Sequence, residues 1–267
     1  MIHDENRLKQ LVIKAASQGC NKKSVIEGLK KIPNLSEKKI NFLIRDLNIN
    51  KKPLFVNHQK FYNTKISSNA KRIPFPFTKI YIYEDFLKRS YCNELISIAD
   101  EIATKSSISN NTGQELYSQY RTSKTAYMDI DDNEMIKYIN ERISNTINLD
   151  PKLGGSLQIQ KYKPGEYYRA HNDYYHWFTP EHKIYTEWMG QRTWTFMIYL
   201  NDVIQGGETY FKHLNLKLQP RKGMAVIWNN LFPFGIPNYK TLHEALPPIS
   251  GNKYVITKWF RSWKLFD

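Results

Sequence analysis

Two hydrophobic periods divide this chain. In the first part, apolar positions recur at three- and four-residue steps, the spacing of helices that bury one face. Leu8, Leu11, Val12, Ile13, Ala15 and Ala16 predict a helix over residues 6–18, which Gly19 ends. Val25, Ile26 and Leu29 predict a second, with Asn21 as N-cap, and Ser36 opens a third carrying Ile40, Leu43, Ile44 and Leu47. Three short helices suit a small bundle or a helix-turn-helix-like unit. The stretch from Lys51 loses the pattern and carries Pro53, with Pro74 and Pro76 just beyond, so residues 51–73 read as a linker. Ile80 to Tyr83 then predict a strand. A helix over Phe86–Thr104 follows, with Leu87, Tyr91, Leu95, Ile98 and Ile102 on one face. Met135, Ile136, Ile139, Ile143 and Ile147 mark another.

Beyond Pro151 the period falls to two. Leu157 and Ile159 alternate with Gln158 and Gln160, and the runs 193–200, 225–228 and 254–257 are strongly β-prone. Gly206-Gly207 and Arg221-Lys222-Gly223 punctuate them as turns. Many short strands preceded by helices predict a mainly β protein with helices (α+β). The expected architecture is a double-stranded β-helix, or jelly roll, backed by helices, with a small N-terminal helical segment. The expected division is 1–50, a small basic helical segment; 51–73, a linker; and 74–267, the main domain.

Composition narrows the class. A hydrophobic content of 41% with 14% aromatic residues supports a packed core and argues against general disorder. No apolar run approaches a membrane-crossing length, and the start lacks a secretory pattern. With Cys20 and Cys92 as isolated thiols, the expectation is a soluble, cytoplasmic protein without a membrane partner. Charge is uneven: residues 1–72 hold 16 Lys+Arg against 5 Asp+Glu, most of the +14 total. That excess suits an acidic partner such as nucleic acid, although a solvated Lys-rich surface accounts for it equally.

The candidate chemistry is concentrated in His171, Asp173 and the distant His243. On a strand, i and i+2 share a side, so His171 and Asp173 can reach one metal ion. Two histidines and one carboxylate cover one face of Fe(II) and leave other positions open. The His-x-Asp spacing alone recurs by chance as a surface His beside a solvated Asp. A zinc site of His171, His176 and His182 with Asp173 is an alternative.

An ordered series of motifs decides between these readings. It runs Arg121-Thr122-Ser123, Leu157 to Tyr162, Gly165-Glu166, His171-Asn172-Asp173 and Gly190-Gln191-Arg192. It continues through Tyr199-Leu200-Asn201-Asp202, Gly206 to Phe211, Pro220 to Gly223, and His243 followed by Pro247, Gly251 and Lys253. From about Pro74 to Lys264 the chain resembles the Fe(II)/2-oxoglutarate dioxygenases, specifically the prolyl 4-hydroxylase catalytic domain. The resemblance implies a hydroxylase acting on prolyl residues of a peptide or protein, with 2-oxoglutarate decarboxylated to succinate and CO₂. Another substrate (a free amino acid, a lysyl residue or a small metabolite) is the alternative, as is a binding module using the basic N-terminus. Fe(II), 2-oxoglutarate and O₂ are the implied cofactors, with ascorbate (vitamin C) a candidate addition.

By the same resemblance, His171, Asp173 and His243 are the metal ligands. Lys253, Tyr162 and Thr195 hold the far carboxylate of 2-oxoglutarate, whose charge calls for a cation away from water. Arg192 and Trp259 face the substrate groove, and Arg121 belongs to a mobile loop over the substrate. Arg261 stands where a His is expected. Lys253 also separates this chain from the nucleic-acid dealkylating branch, which carries Arg there.

Overall fold

The structure, a computed structural model, describes residues 8, 11–12, 15, 22–33, 35–46, 56–109, 115–116, 119–128, 133–187 and 190–263. Helices α1 (Lys22–Lys30) and α2 (Glu37–Asp46) follow the apolar stripes that predicted them. With Leu8 and Val12 from the preceding helical residues, they bury Val25, Leu29, Ile40 and Leu43 in a small core of their own. Asn21, Cys20 and Leu47 lie outside the described residues.

The expected linker is part of the fold from Val56 onward. Helix α3 (His58–Tyr62) is capped by the Asn57 side chain, and its His58 ring packs on Gly235. Trp194 Nε1 donates to the Phe61 carbonyl at 2.9 Å. Strand β1 (Lys71–Phe75) pairs antiparallel with β2 (Thr78–Tyr83). Proline masked this strand in the sequence. Pro74 sits on a sheet edge, where a missing N–H removes no necessary ladder bond.

Helix α4 (Arg89–Ile102) buries Cys92, Leu95 and Ala99. The short strands β3 (Thr104–Lys105), β4 (Ile108–Ser109) and β5 (Glu115–Leu116) lead to β6 (Lys124–Met128). Helix α5 (Glu134–Ile147) begins at Asn133, whose side chain accepts from Ile136 N at 2.8 Å, and ends at left-handed Asn148. Its Ile136, Ile139, Ile143 and Ile147 are fully buried. Then come β7 (Leu157–Tyr162), β8 (Tyr168–His171), α6 (Pro180–Thr186), β9 (Arg192–Tyr199), β10 (Thr209–Phe211), β11 (Leu216–Leu218), β12 (Ala225–Asn229), β13 (His243–Ala245) and β14 (Lys253–Arg261).

The strands form a major sheet in the order β1-β2-β12-β9-β14-β7-β6-β3 and a minor sheet β11-β10-β13-β8. This is the expected jelly roll backed by helices. Strand alternation assigns the two faces. Trp194, Phe196 and Ile198 of β9 pack with α4 and α5, while Met197 and Tyr199 face the minor sheet. On β14 the same rule sends Tyr254, Ile256 and Phe260 toward the helices and Val255 inward, with Lys253, Thr257 and Trp259 lining the interior cavity. Lys258 goes to the helix side, where its Nζ donates to Asn140 Oδ1 at 2.8 Å and to the Gly155 carbonyl at 2.6 Å. The Gly206-Gly207 turn has φ of +73° and +74°, and a Cβ at Gly206 would stand 2.4 Å from the Pro247 carbonyl oxygen. Only glycine fits there.

Candidate active site

His243 lies directly opposite His171 in the β8–β13 pairing, and the two rings sit 4.3 Å apart. Asp173, two residues past His171, is buried. One ligand atom from each of His171, Asp173 and His243 lies within 4.8 Å of the others, and among the described residues this is the His/Asp/Glu/Cys group able to hold a metal. The zinc alternative through His176 and His182 is not assembled.

Both imidazoles are set by the backbone. His171 Nδ1 bonds the Arg169 carbonyl and His243 Nδ1 the Thr241 carbonyl, each at 2.9 Å. A carbonyl only accepts, so each Nδ1 carries a proton and each Nε2 is the nitrogen left for a metal. Burial, with the neighbouring His243, pushes His171 down to about 3, keeping it neutral and able to ligate. Burial alone would raise Asp173, but His243, His171, Arg192 and the Thr195 hydroxyl together hold it below the usual carboxylate range. Tyr168 stacks on His171 at 3.6 Å, and Trp228 meets His243 edge-on at 5.0 Å.

Lys253 is paired with Tyr162 across β14 and β7. Its side chain is 1% exposed, with Nζ 5.3 Å from the Tyr162 ring centre and 5.7 Å from that of Tyr199. Burial lowers this ammonium to about 7, partly countered by Glu208. The triad, Lys253 and Tyr162 line one cavity of about 440 Å³, a size suited to a small ligand.

A family model, the 2OG-Fe(II) oxygenase superfamily, matches residues 157–261. The chain is 31% identical over 202 residues to "Probable prolyl 4-hydroxylase 8" of Arabidopsis thaliana, covering 68% of each. It is 36% identical over 149 residues to the prolyl 4-hydroxylase subunit alpha-1 of Gallus gallus, covering 55% of this chain and 28% of that one. The chain belongs to the 2OG-Fe(II) oxygenase superfamily, in its prolyl 4-hydroxylase family. It spans 28% to 68% of the length of these two curated relatives. Among solved structures, the viral collagen prolyl hydroxylase of Paramecium bursaria Chlorella virus-1, in its 2OG complex, is similar at a TM-score of 0.54 and 26% identity. That match covers 69% of this chain and 96% of that one.

Within this oxygenase fold, one expected residue stands apart from its sequence reading. Thr195 is level with Trp259, not Lys253, in the β9–β14 register. Six residues of strand, roughly 20 Å, separate Trp259 from Lys253. Thr195 Oγ1 instead donates to Asp173 Oδ2 at 2.6 Å and accepts from Asn230 Nδ2 at 2.9 Å. The amide nitrogen can only donate, so the single hydroxyl proton is committed to the carboxylate.

Arg121 is a buried wall of the cavity. It donates to Ser123 Oγ at 3.2 Å and Thr125 Oγ1 at 3.1 Å, and covers the Tyr168 ring at 4.8 Å. Arg261 is also buried, donating to the Gly190 carbonyl at 3.3 Å and the Tyr185 carbonyl at 3.5 Å, so it braces the loop after β8.

Arg192 and Trp259 do meet in the cavity: the guanidinium lies 3.9 Å over the indole and 4.9 Å over Tyr175. Residues that sequence reasoning did not assign to the site are Tyr168, Trp228 and Asn230, along with Tyr199, which entered only as part of a motif. Their aromatic and amide types are common in any core, so residue type alone did not mark them.

Proposed function

We propose that the chain is an Fe(II)- and 2-oxoglutarate-dependent hydroxylase of prolyl residues in a peptide or protein, forming succinate and CO₂ from its cosubstrate. One cavity carries the reading, because it holds the His171–Asp173–His243 set, Lys253 with Tyr162, and Arg192 with Trp259 together. The donor set fits a ferrous ion: two imidazole nitrogens and one carboxylate oxygen, gathered on one side. Lys253 fits a dicarboxylate. A buried ammonium lowered to about 7 gains most from an anion brought beside it.

When bound, the metal and keto acid supply O₂ activation and C–H oxidation. The chain's residues bind, orient and shield. His171 and His243 would hold the metal through Nε2, and Thr195 fixes the Asp173 carboxylate by occupying Oδ2. Lys253 and Tyr162 receive the far carboxylate. Tyr168 and Trp228 cover the imidazoles and keep water from their faces. At the substrate end, Arg192 Nε and Trp259 Nε1 are buried without a hydrogen-bond partner among the described residues. Two unmatched donors suit a substrate rich in acceptors, such as peptide carbonyls.

The test supplies Fe(II), 2-oxoglutarate, O₂ and proline-rich peptides. We expect succinate together with a one-oxygen mass gain on a prolyl residue. Succinate formation with no oxygen gain on any prolyl peptide of the panel overturns the prolyl assignment.

We also propose ascorbate as an accessory cofactor, on the family resemblance, and a cytoplasmic location, on the two isolated cysteines. Among the described residues no helix is long and apolar enough to cross a membrane. The charge of residues 1–72 favours one further reading, docking to nucleic acid. Salt-sensitive retention of RNA by the full chain tests it.

A further inference from the structure

Three side-chain atoms near the metal end of the cavity are buried without a hydrogen-bond partner among the described residues: Thr78 Oγ1, Trp228 Nε1 and Asn230 Oδ1. None of the three residues is more than 1% exposed. They are neighbours by register. Trp228 of β12 stands opposite Ile80 of β2, and two further steps of the same antiparallel pairing bring Asn230 level with Thr78. Alternation turns all three to one side. Thr78 shares the face of Ile80 and Asn230 that of Trp228, and both Ile80 and Trp228 belong to the core between the sheets. Directly opposite residues on paired strands have Cβ atoms about 4.5–5.5 Å apart, and next-but-one residues lie about 7 Å apart along a strand. One small molecule can touch all three.

Their bonding types are complementary. The indole N–H only donates, the amide oxygen only accepts, and a hydroxyl does either. Asn230 Nδ2 is already taken, because it donates to Thr195 Oγ1 at 2.9 Å, on the β9 side of β12. That bond leaves Oδ1 turned to the β2 side, where Thr78 stands. The three atoms make no direct bond to one another. A single water accepts from Trp228, donates to Asn230 and closes on the Thr78 hydroxyl, the usual role of a water enclosed among buried polar groups.

We propose that Thr78, Trp228 and Asn230 hold one ordered water, and that Thr78 and Asn230 are thereby positioning residues for the metal ligands. The proposal rests on the His171–Asp173–His243 metal reading and not on the prolyl one. From this water a run of hydrogen bonds leads to the metal site with every donor pointing the same way. The water donates to Asn230, Asn230 Nδ2 to Thr195, and Thr195 Oγ1 to Asp173 Oδ2 at 2.6 Å. Aligned bonds polarise one another, and an amide N–H donates more strongly when its own oxygen accepts. The same water fixes the tilt of the Trp228 indole, which meets His243 edge-on at 5.0 Å. Two of the three ligands are steadied from a buried point on β2, a strand that carries no ligand itself. A hydroxyl at position 78 is otherwise an unfavourable choice, since the site is fully enclosed and valine has the same shape.

The experiment titrates the metal-free full chain and two variants with Co(II), calorimetry giving the affinity and the absorption spectrum the coordination. Thr78→Val removes the hydroxyl at nearly constant shape, and Thr78→Ser keeps it. We expect Thr78→Val to bind Co(II) roughly three- to tenfold more weakly, less than the roughly 10- to 100-fold loss typical of a group that touches a ligand directly, with a shifted spectrum. Thr78→Ser should restore both. A folded Thr78→Val chain with unchanged affinity and spectrum overturns the proposal. So does a Thr78→Ser chain as weak as the valine variant, because the effect then follows side-chain shape. The unaltered chain gives a test free of any folding defect. Its crystal structure should hold one water within about 3.2 Å of Thr78 Oγ1, Trp228 Nε1 and Asn230 Oδ1; a direct Thr78–Asn230 bond there, or no water, overturns the proposal. An unaltered chain that takes up no Co(II) sinks the metal reading itself and the positioning role with it, a result distinct from metal uptake that ignores Thr78.

Discussion

Replacing Thr195 with valine removes one hydroxyl and almost nothing else. The residue is fully buried and Asp173 is 3% exposed, so water cannot replace the lost donor. The 2.6 Å bond runs from a hydroxyl to a carboxylate, the short charge-assisted kind. Hydrogen bonds to charged groups contribute about 1.5–3 kcal/mol. Without the donor, Oδ2 is free to turn toward the metal and compete for a position the cosubstrate needs. Asn230 Nδ2 loses its acceptor at the same time. Loss of such an outer contact weakens metal binding by roughly 10- to 100-fold, which agrees with the hydrogen-bond estimate. The assay is calorimetric titration of the metal-free protein with Mn(II) or Co(II), the absorption spectrum of Co(II) reporting coordination number. Thr195→Ser keeps the hydroxyl and should bind within a few-fold of the unaltered chain. A folded Thr195→Val protein with unchanged metal affinity and an unchanged Co(II) spectrum would refute the argument.

Buried charge and backbone strain carry the remaining predictions. Lys253 is lowered by burial to about 7 from 10.5, so between these values the unfolded chain holds a proton that the folded one lacks. The contribution of this group to ligand-free stability therefore rises with pH across that window, and chemical denaturation at several pH values measures it. Binding of 2-oxoglutarate draws the proton back, so its affinity should fall by about tenfold per pH unit above about 7; a flat profile in calorimetry would dissociate the lysine from the cosubstrate. Lys253→Met should stabilise the metal-free protein by ~1 kcal/mol or more while abolishing the stabilisation that 2-oxoglutarate gives the metal-loaded one, read by thermal shift. Gly206→Ala should destabilise by about 2–4 kcal/mol, because it adds a clash with the Pro247 carbonyl to an unfavourable φ. Gly165→Ala, at φ +80° with open space around its Cβ, should cost about 1 kcal/mol in the same urea titration.

The face each strand residue takes was readable from the sequence; its depth along the strand was not. On β14 alternation puts Lys253 and Thr257 toward the interior and Lys258 toward the helices. The metal ligands were readable for a related reason. The His-x-Asp spacing fixes a shared side, and His243 arrives opposite His171 through strand pairing. Thr195 shows where this stops. Its side points inward as expected, but register sets it beside Asp173 and Asn230, far along the strand from Lys253. Period two carries no information about register, which depends on which residue of the next strand is opposite. Residues 56–73 read as linker for a different reason. Proline and the short five-residue helix suppress the periodic signal, yet edge strands tolerate proline and a single turn can be held by tertiary contacts such as Trp194 to Phe61.

Register also explains why the two ends of the cavity depend on different parts of the fold. The metal end is built where β8 and β13 of the minor sheet face β9 of the major one, so Thr195 couples the sheets through Asp173. The lysine end lies within the major sheet alone, from Lys253 and Tyr162 on neighbouring strands. A change in how the sheets pack should therefore disturb the metal before the lysine. Because Asp173 accepts from Thr195 across that gap while Lys253 and Tyr162 sit on neighbouring strands, the separation between metal end and lysine end is set by how the two sheets pack. A keto-diacid is short and of fixed reach, so only one such spacing lets it touch both ends. On the proposed function, that geometric demand, rather than any single contact, accounts for a buried ammonium that otherwise costs the fold stability.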